Sequence, residues 1–394
     1  MANKPKIRFK GFDDAWEQRK LGDVVTFING RAYSQEELLS NGKYKVLRVG
    51  NFYTNDSWYY SDMELEAKYY AKEGDLLYTW SATFGPHIWH GDKVIYHYHI
   101  WKVELSDALE KHFAVQLLEK DKQSILSDKN GSTMVHITKA GMESKEVMLP
   151  PNIREQTKIG ECFQNLDNLI TLHQRKCDQM KELKKYMLKK MFPQNGAKVP
   201  EIRFDGFTDD WEQRKLNELL KKYEDPVDTP HNGYERIGIR SHAKGTFHSF
   251  VEPGKELDTA KMHRVASDKF ILNITFAWEH AVAITNENDA GKLVSHRFPQ
   301  FSFDEKLKSH FFKYLMLDRK FKEHLELSSP GGAGRNRVLK ISDMLKYEIK
   351  IPSIGEQTKI AKYLDELDHL ITLHQHKCNE LREIKKYMLK NMFI

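Results

Sequence analysis

Polar and aromatic side chains that could contact a ligand gather between the strand-like runs of this 394-residue sequence. In the DNA major groove, arginine can read the edge of guanine and asparagine the edge of adenine. These residue types therefore favour contacts with nucleic acid, while the alternative is ordinary loop chemistry with half-buried aromatic rings. The candidates are Arg48, Asn51, Trp80, Ser81, Thr83 and His87 in the first half, and Arg236, Arg240, His242, Lys244, Trp278 and His280 in the second.

Each half also has a glycine-rich segment before its last strand-like run, NGSTMVH at 130–136 and PGGAGRNR at 330–337. Because glycine has no side chain, such a segment lets the backbone approach a phosphate closely. The two arginines of the second segment add positive charge. The candidates from these segments are Ser132, Thr133, Arg335, Asn336 and Arg337.

No sequence motif of an enzyme accompanies these residues. The sequence lacks the GxxxxGK[ST], HExxH and GxSxG patterns and an NPPY-type methyltransferase motif, and GGAGR lacks the third glycine of a dinucleotide site. His97 and His99 are predicted to share one face of a strand, and no third metal ligand stands out. The sequence therefore predicts a binding protein without catalytic residues, bound metal or cofactor of its own.

Composition gives weaker indications. Charged residues make up 30% of the chain, and no apolar run approaches the roughly 18 residues of a membrane span. Three cysteines without a CxxC pair fit a reducing compartment, and the N-terminus lacks the apolar segment of a secretory signal, so we expect a cytoplasmic protein without a membrane partner. The net charge is +6, but residues 25–148 carry 14 Lys and Arg against 17 Asp and Glu. A nucleic acid must therefore meet local basic patches.

Two blocks of the sequence are repeated, and the elements between them are not. Residues 7–21 and 202–216, both ending in WEQRKL, share 12 of 15 positions, and residues 155–192 and 356–393 share 24 of 38. The roughly 130 residues between the blocks diverge in each half. This layout indicates one frame that carries two different recognition domains. The predicted fold is α+β, with domains at 1–150 and 194–351 and long helices at 151–193 and 352–394.

Within the variable segments, short runs predict the elements that position the candidate residues. Helices are predicted at HFAVQLLEKDKQSIL (112–126) and SHFFKYLMLDRKFKEHLEL (309–327). Strands are predicted at KYKVLRVGNF (43–52), DLLYTW (75–80), KVIYHYHIWKVEL (93–105), ERIGIRS (235–241), KFILNITFAW (269–278) and EHAVAIT (279–285).

The second repeated block predicts a helix of about 57 Å in each half. Asn152 with Glu155, and Ser353 with Glu356, fit capping boxes at the helix starts. Apolar residues then alternate in steps of four and three, which predicts that the two helices pair as an antiparallel coiled coil with pseudo-twofold symmetry. The predicted seam contains Ile159, Phe163, Leu166, Ile170, His173, Cys177, Met180, Met187 and Met191, and Ile360, Leu364, Leu367, Ile371, His374, Cys378, Leu381, Met388 and Met392.

The histidines and cysteines of this seam have two interpretations. His173, Cys177, His374 and Cys378 could hold zinc, or they could be a polar break that fixes the helix register. Antiparallel pairing brings the histidines together and places the cysteines on opposite sides of them. We therefore favour the register interpretation. In the same arrangement Trp16 and Trp211 would anchor each domain to a helix end, with Arg19, Lys20, Arg214 and Lys215 at the surface.

The arrangement resembles the specificity subunit of type I restriction-modification systems. The resemblance rests on GF-x-D-x-WEQRKL at 11–21 and 206–216, on P-x-x-x-EQ-x-K-I at 151–159 and 352–360, and on the variable domains between them, and it covers the whole chain. It implies a non-catalytic bacterial or archaeal subunit whose two target recognition domains each read half of a bipartite double-stranded DNA sequence. It also implies two methyltransferase subunits that use S-adenosylmethionine, and motor-nuclease subunits that use ATP and Mg²⁺.

Two further classes of function remain as alternatives. The first is a self-contained DNA-modifying enzyme with an unrecognised active site, and the second is a coiled-coil assembly protein whose domains bind protein. Under the leading hypothesis, two unlike recognition domains predict an asymmetric target. The length of the helices predicts half-sites about one helical turn, some 10 bp, apart.

Overall fold

The computed structural model describes residues 4–53, 55–81, 83–127, 137–194, 196–331 and 337–394, and its chain divides into two units. The first unit consists of Met1–Arg175 and His374–Ile394, and the second of Lys176–Leu373. Within the described ranges, no helix is long and apolar enough to cross a membrane. Each unit therefore combines one variable segment with parts of both long helices.

In the first unit, short strands alternate with turns before the first long helix. That helix continues past Arg175, so its later residues belong to the second unit. The elements are β1 (Glu17–Lys20), β2 (Val25–Asn29), β3 (Tyr44–Leu47), β4 (Tyr59–Ser61), β5 (Tyr70–Ala71), β6 (Leu76–Thr79), β7 (Gly85–Ile88), β8 (Val94–Tyr96), β9 (Ile100–Leu105), α1 (Lys111–Ser127), α2 (Lys139–Glu143), β10 (Glu146–Leu149) and α3 (Ile153–Lys190).

These strands form a ribbon and two four-stranded sheets. Strand β1 pairs antiparallel with β10, which closes the variable segment at its two ends. One sheet has the order β2-β9-β6-β7 and is antiparallel, while the other has the order β4-β3-β8-β5 and contains one parallel pair, β3 with β8. Because a parallel pair needs a long crossover, the chain between β3 and β8 returns through other strands before it pairs.

The second unit contains the corresponding elements and one additional edge strand. They are β11 (Glu212–Lys215), α4 (Leu216–Leu219), β12 (Leu220–Tyr223), β13 (Pro226–Asp228), β14 (Tyr234–Ile239), β15 (Thr246–Val251), β16 (Lys261–Arg264), β17 (Phe270–Leu272), β18 (Val282–Ile284), β19 (Leu293–Val294), β20 (Gln300–Phe303), α5 (Ser309–Leu315), α6 (Arg319–Leu327), α7 (Ile341–Met344), β21 (Glu348–Ile351) and α8 (Ile354–Met392).

The strand order of the first unit recurs in the second, although the two variable segments differ in sequence. The order β12-β20-β17-β18 corresponds to β2-β9-β6-β7, and β15-β14-β19-β16 corresponds to β4-β3-β8-β5, with β13 added beyond β16. Strands β14 and β19 again form the parallel pair. The shared topology makes positions in the two units comparable. It bears out the predicted α+β fold with a tandem repeat.

Two of the strands predicted in the first unit differ from expectation because the chain turns early. The run at 43–52 is a strand only as far as Leu47 and continues as a 3-10 turn at Val49–Phe52. The run at 93–105 is interrupted by a turn at 97–99, which the backbone hydrogen bond from Ile100 to the His97 carbonyl closes at 2.9 Å. The prediction that His97 and His99 share a strand face is therefore wrong.

The predicted helices and the second-half strands show a similar pattern. The first predicted helix is confirmed as α1, whereas the helix predicted at 309–327 divides into α5 and α6. The division occurs because the Asp318 side chain caps α6, accepting from the Lys320 amide. The run at 269–278 ends as a strand at Leu272 and reaches a 3-10 turn at Ala277–Glu279. The run at 235–241 corresponds to β14, whereas the run at 279–285 is a strand only at Val282–Ile284, because the 3-10 turn extends to Glu279 and His280 caps it.

The two long helices begin and end within three residues of their predicted bounds. All the seam residues predicted along α3 and α8 are buried or half-buried. In the first unit, Lys385 Nζ on α8 contacts the Asp167 carboxylate on α3 at 2.6 Å, and His173 Nδ1 lies 3.0 Å from His374 Nδ1. Residue numbers rise along one helix as they fall along the other, so these segments are antiparallel.

The second unit repeats this antiparallel contact with the equivalent residues. Lys184 Nζ on α3 contacts Asp368 on α8 at 2.5 Å, and the Cys177 thiol donates to the Ile371 carbonyl at 3.7 Å. In the first unit the Cys378 thiol likewise donates to the Ile170 carbonyl at 3.8 Å. Among the described residues, no three His, Cys, Asp or Glu side chains are grouped to hold a metal ion. The geometry therefore gives no support to the zinc interpretation.

The tryptophan of each WEQRKL block packs on a helix end, as predicted. In the first unit Trp16 is buried edge-on against Phe393, at a ring distance of 6.2 Å, and Phe393 stacks on Phe113 at 5.0 Å. In the second unit Trp211 meets Phe192 in the same way at 6.1 Å, and Phe192 stacks on Phe311 at 5.4 Å. After each tryptophan the four residues EQRK form β1 or β11, where Arg19, Lys20 and Lys215 are exposed and Arg214 is half-buried.

The glutamates at the helix starts do not complete the predicted capping boxes. Glu155 is fully buried, and its carboxylate accepts from Arg8 Nε at 2.7 Å and Nη2 at 2.8 Å, and from the Trp16 indole at 3.4 Å. Glu356 pairs with Arg203 at the same two distances. An arginine outcompetes a backbone amide because its bond to carboxylate is charge-assisted and bidentate. This bond raises the pKa of the Arg8 guanidinium.

The side chain of the glutamine that follows each buried glutamate forms hydrogen bonds with backbone groups of the variable segment. The Gln156 side chain accepts from the Glu110 amide at 2.8 Å and donates to the Ala108 and Pro150 carbonyls at 3.0 Å. Gln357 makes the same three contacts, with the Lys308 amide and the Lys306 and Pro352 carbonyls. Because its partners in the variable segment are backbone groups, the contact does not depend on which side chains that segment carries.

Candidate nucleic-acid interface

Three turns of the first unit meet at one edge of its two sheets. They follow β3 (residues 48–53), join β6 to β7 (80–84) and join β8 to β9 (97–99). The Trp80 amide donates to the His99 carbonyl at 3.2 Å, and the His97 amide donates to the Leu47 carbonyl at 2.9 Å. We call the described residues of these turns the first loop edge. It collects Arg48, Asn51, Trp80, Ser81 and Thr83 from the predicted set.

The equivalent turns meet in the second unit. They lie at 240–245 after β14, at 273–281 between β17 and β18, and at 295–299 between β19 and β20. The His242 amide donates to the Glu279 carbonyl at 2.9 Å, and the Ile274 amide donates to the Arg297 carbonyl at 3.0 Å. This second loop edge holds Arg240, His242, Lys244 and Trp278. Both units therefore present part of their candidate residues at the same topological position.

An aromatic cluster occupies the first loop edge. The Trp80 ring stacks on Trp101 at 5.8 Å and contacts His99 edge-on at 5.1 Å, while its indole donates to the Tyr98 carbonyl at 2.9 Å. Tyr98 itself is exposed, at 39%. Beside the cluster Ser81 is half-buried and Thr83 is exposed. The accessible part of the cluster is therefore the exposed Tyr98 ring with the half-buried Trp80 and His99, and hydroxyl groups lie at its side.

The histidines of this edge are held in the neutral form. Burial, helped by the charges of His99 and Arg48, lowers the pKa of His97 to about 4, and burial also lowers the pKa of His99. A neutral imidazole can donate one hydrogen bond and accept another. At neutral pH these rings therefore offer hydrogen bonds to a ligand but no positive charge.

Two predicted residues of the first unit hold the loop itself. His87 on β7 stacks on Phe52 at 4.2 Å and contacts the Tyr53 hydroxyl at 3.1 Å, and burial lowers its pKa to about 4. The Asn51 side chain accepts from the Arg48 amide at 3.0 Å and donates to the Asn55 and Ser57 carbonyls at 3.0 and 2.9 Å. The polar groups of His87 and Asn51 form contacts within the unit. These two residues therefore stabilise the conformation of the loop edge.

Arg240, Lys244 and Arg297 are exposed cationic residues at the second loop edge. Arg236 is also exposed, but it lies within β14 and outside that edge, and its Nε donates to the Ser249 hydroxyl at 3.1 Å. His242 and Lys244 are exposed in the following turn. Trp278 is half-buried with its indole bonded to the Thr275 carbonyl at 3.1 Å, and the Arg337 guanidinium lies 5.6 Å from the centre of its ring.

His280 does not belong to this surface. It is 6% exposed, and its Nε2 lies 2.8 Å from the Met316 carbonyl oxygen. Its backbone is left-handed, with φ of 62°, which turns the side chain into the interior at the end of the 3-10 turn. The buried position contradicts the prediction that His280 contacts a ligand. Burial also lowers its pKa, so the buried ring stays neutral.

The predicted glycine-rich segments are only partly described. Ser132, Thr133, Arg335 and Asn336 lie outside the described residues. Arg337 is described, and besides Trp278 it contacts the Glu326 carboxylate at 3.5 Å. Sequence reasoning missed Tyr98 and Phe247, which are both exposed beside the predicted residues. An exposed aromatic side chain next to a turn is the signal that could have identified them.

The fold carries two loop edges with unlike side chains on one repeated frame. Residues 13–182 and 208–383 match the family described as the type I restriction modification DNA specificity domain. The chain belongs to this family. Since its members supply sequence specificity, this chain is the specificity component and not the enzyme of such a system.

Individual relatives agree with this assignment. The MjaVIII specificity subunit of a type I restriction enzyme from Methanocaldococcus jannaschii is 25% identical over 395 residues, which cover 95% of this chain and 91% of the relative. The crystal structure of the S subunit of a type I restriction-modification system from M. genitalium has the same fold. It superposes with a TM-score of 0.62 over 99% of both chains, at 14% identity.

Proposed function

We propose that each loop edge reads one half of an asymmetric, bipartite DNA target in the major groove. The observation that carries the proposal is that the two units have the same strand order but different side chains at their loop edges. The first edge is aromatic and histidine-rich, whereas the second is rich in arginine and lysine. Different side chains on the same scaffold would select different bases, because base edges are distinguished by donors, acceptors and methyl groups.

The long helices carry features that fit partner subunits. Apolar side chains away from the seam are exposed at repeated positions, Leu169 and Leu172 in the first unit and Leu370 and Leu373 in the second, with exposed fractions of 37–52%. Exposed apolar groups at repeated positions favour a protein contact. We assign this surface to two methyltransferase subunits, one for each copy. Motor-nuclease subunits would then join the complex, and the helices would set the spacing between the two DNA halves.

Under this proposal the cofactors belong to the partners. S-adenosylmethionine would be bound by the methyltransferase subunits, and ATP and Mg²⁺ by the motor-nuclease subunits. This chain would position the partner subunits on the DNA and select the sequence. The complex would act in the cytoplasm, where the DNA lies, and the methylated base would be adenine. The flipped adenine that such a methyltransferase needs would be held in the partner's own site.

A methyl-transfer assay tests the proposal against the two other classes of function. The purified chain is incubated with DNA and labelled S-adenosylmethionine, with and without a methyltransferase subunit. We expect label in DNA only when both proteins are present. Transfer by the chain alone would show a self-contained enzyme. Failure to co-purify with the methyltransferase, with no sequence preference in the mixture, would show an assembly protein of another kind.

Charged substitutions on the exposed leucines should separate docking from folding. The double variant Leu172→Asp and Leu373→Asp is expected to keep the wild-type free energy of unfolding within about 1 kcal/mol, because surface changes cost little. It should fail to co-purify with the methyltransferase, since a carboxylate would be buried without a partner at the contact. The matched control, Lys185→Asp with Lys386→Asp, places the same carboxylates at exposed positions of the same helices and should co-purify. Undiminished binding by the leucine variant would contradict the assignment.

A further inference from the structure

An arginine lies over an aromatic ring at the first loop edge. The Arg48 guanidinium carbon is 4.2 Å from the centre of the Tyr59 ring, within the range of a cation–π contact. Tyr59 begins β4 and pairs with Val46 on β3, and Arg48 follows Val46 by two residues. The contact therefore joins an arginine just past one strand to a ring on the diagonal of the neighbouring strand.

The second unit has the same pair in the same register. The Arg240 guanidinium carbon is 5.3 Å from the centre of the Phe247 ring. Phe247 pairs with Gly238 on β14, and Arg240 again follows that residue by two. A Cβ on Gly238 would lie 2.3 Å from the Phe247 ring, so the glycine makes room for the ring to lie across the strand. Two segments that differ in sequence have thus kept one geometric arrangement.

Arg48 and Arg240 also resemble each other in having no acidic partner among the described residues. In the described part of the chain neither has a carboxylate partner, whereas Arg31 is bound by Glu37 at 2.6 Å and Arg337 contacts Glu326 at 3.5 Å. Arg48 Nε is buried without a hydrogen-bond partner among those residues. Arg240 Nη1 donates to the Thr246 carbonyl, which is a neutral partner and leaves the charge of the guanidinium uncancelled. A guanidinium that lies against a ring and is not neutralised by an acid retains its charge and its remaining donors for a ligand.

We propose that the pairs Arg48–Tyr59 and Arg240–Phe247 are matched phosphate contacts that dock each unit on the DNA backbone. The proposal rests on the proposed function, that each unit binds DNA. The two units would read different bases, so a feature that both share in the same register should serve what their two targets have in common. The sugar-phosphate backbone is common to all sequences, and contacts to it set orientation without selecting bases.

The experiment measures DNA affinity at several salt concentrations for the chain in complex with its methyltransferase partner. The probes are a duplex that the wild-type complex methylates and an unrelated duplex of equal length. We expect Arg48→Ala and Arg240→Ala each to weaken binding roughly tenfold, the order expected for one charge-assisted hydrogen bond. The loss should be equal for both probes, and the slope of log affinity against log salt should decrease by about 0.9 for each residue.

Control variants show whether a loss of DNA affinity comes from the proposed phosphate contacts or from another effect of the substitution. Arg319→Ala removes an exposed arginine that is already paired with Glu323 and should leave affinity and salt slope unchanged. Phe247→Leu keeps Arg240 but removes the aromatic ring that it contacts. This variant should lose less affinity than Arg240→Ala, and the methylated sequence should stay the same. A change in the methylated sequence on Arg48→Ala or Arg240→Ala would overturn the proposal in favour of base reading. Wild-type affinity and slope in both variants would also overturn it. Absence of DNA binding by the wild-type complex would instead refute the proposed function.

Discussion

Exchanging residues 220–347 for the same segment of a relative with a different target should change one half of the methylated sequence and leave the other half unchanged. The segment begins at β12 and ends before β21, so both strands of the β11–β21 ribbon stay native. It includes the whole second loop edge and none of the first. The effect should be a complete change of the recognised half-site, measured by sequencing methyladenine in DNA modified by the reassembled complex.

The structure explains why such an exchange can be tolerated. Gln357 grips the second variable segment through the Lys308 amide and the Lys306 carbonyl, which any sequence supplies. Phe311 lies in the exchanged segment and stacks on the Phe192 anchor, so the donor segment should carry an aromatic residue there. The matched exchange of residues 25–145 should change only the other half-site. If either exchange alters both halves, or neither, the two-reader account is wrong.

Replacement of Glu155 by alanine is expected to lower the free energy of unfolding of the first unit by about 3–5 kcal/mol, the usual cost of removing one partner of a buried ion pair. The side chains of Arg8 and Glu155 are only 12% and 1% exposed, so the guanidinium would be left buried without its carboxylate. The Trp16 indole would lose its acceptor as well. Denaturant unfolding followed by tryptophan fluorescence provides the measurement.

Two comparisons sharpen this test. Glu161→Ala removes an exposed carboxylate from the same helix and should change the free energy of unfolding by less than about 0.5 kcal/mol. Glu356→Ala should destabilise the second unit by an amount similar to that for Glu155→Ala, because Arg203 contacts it at the same distances. A loss below about 1 kcal/mol in both glutamate variants would mean that the ion pairs contribute little to the frame.

The sequence predicted the frame better than it predicted the contacts within it. The two tryptophan anchors are a repeated signal, and the structure places each of them on a helix end. The apolar spacing of the long helices is a local signal, and its residues are buried or half-buried. The role of Glu155 was missed because its partner, Arg8, lies 147 residues away in the chain. A local capping rule cannot anticipate a long-range arginine that binds the same carboxylate more strongly.

For the candidate interface, the sequence indicated which residue types lie at the turns, but it did not indicate which of their side chains are exposed. Arg48, Trp80 and Arg240 lie at the loop edges because each directly follows a strand that ends there, and Trp278 lies in the 3-10 turn at Ala277–Glu279. His280 was predicted on the same grounds, but it is buried by a left-handed turn that no neighbouring residue in the sequence indicates. The arginine–aromatic pairs depend on strand register, which a sequence without its partner strand does not define.

The most direct test of the central claim is the map of methyladenine across the genome of cells that carry this chain and its partner subunits. The two-reader account predicts one two-part sequence whose halves differ, separated by a gap of fixed length. A palindromic sequence, or a single uninterrupted one, would contradict it, because two unlike loop edges on one repeated frame would then not each read a separate half.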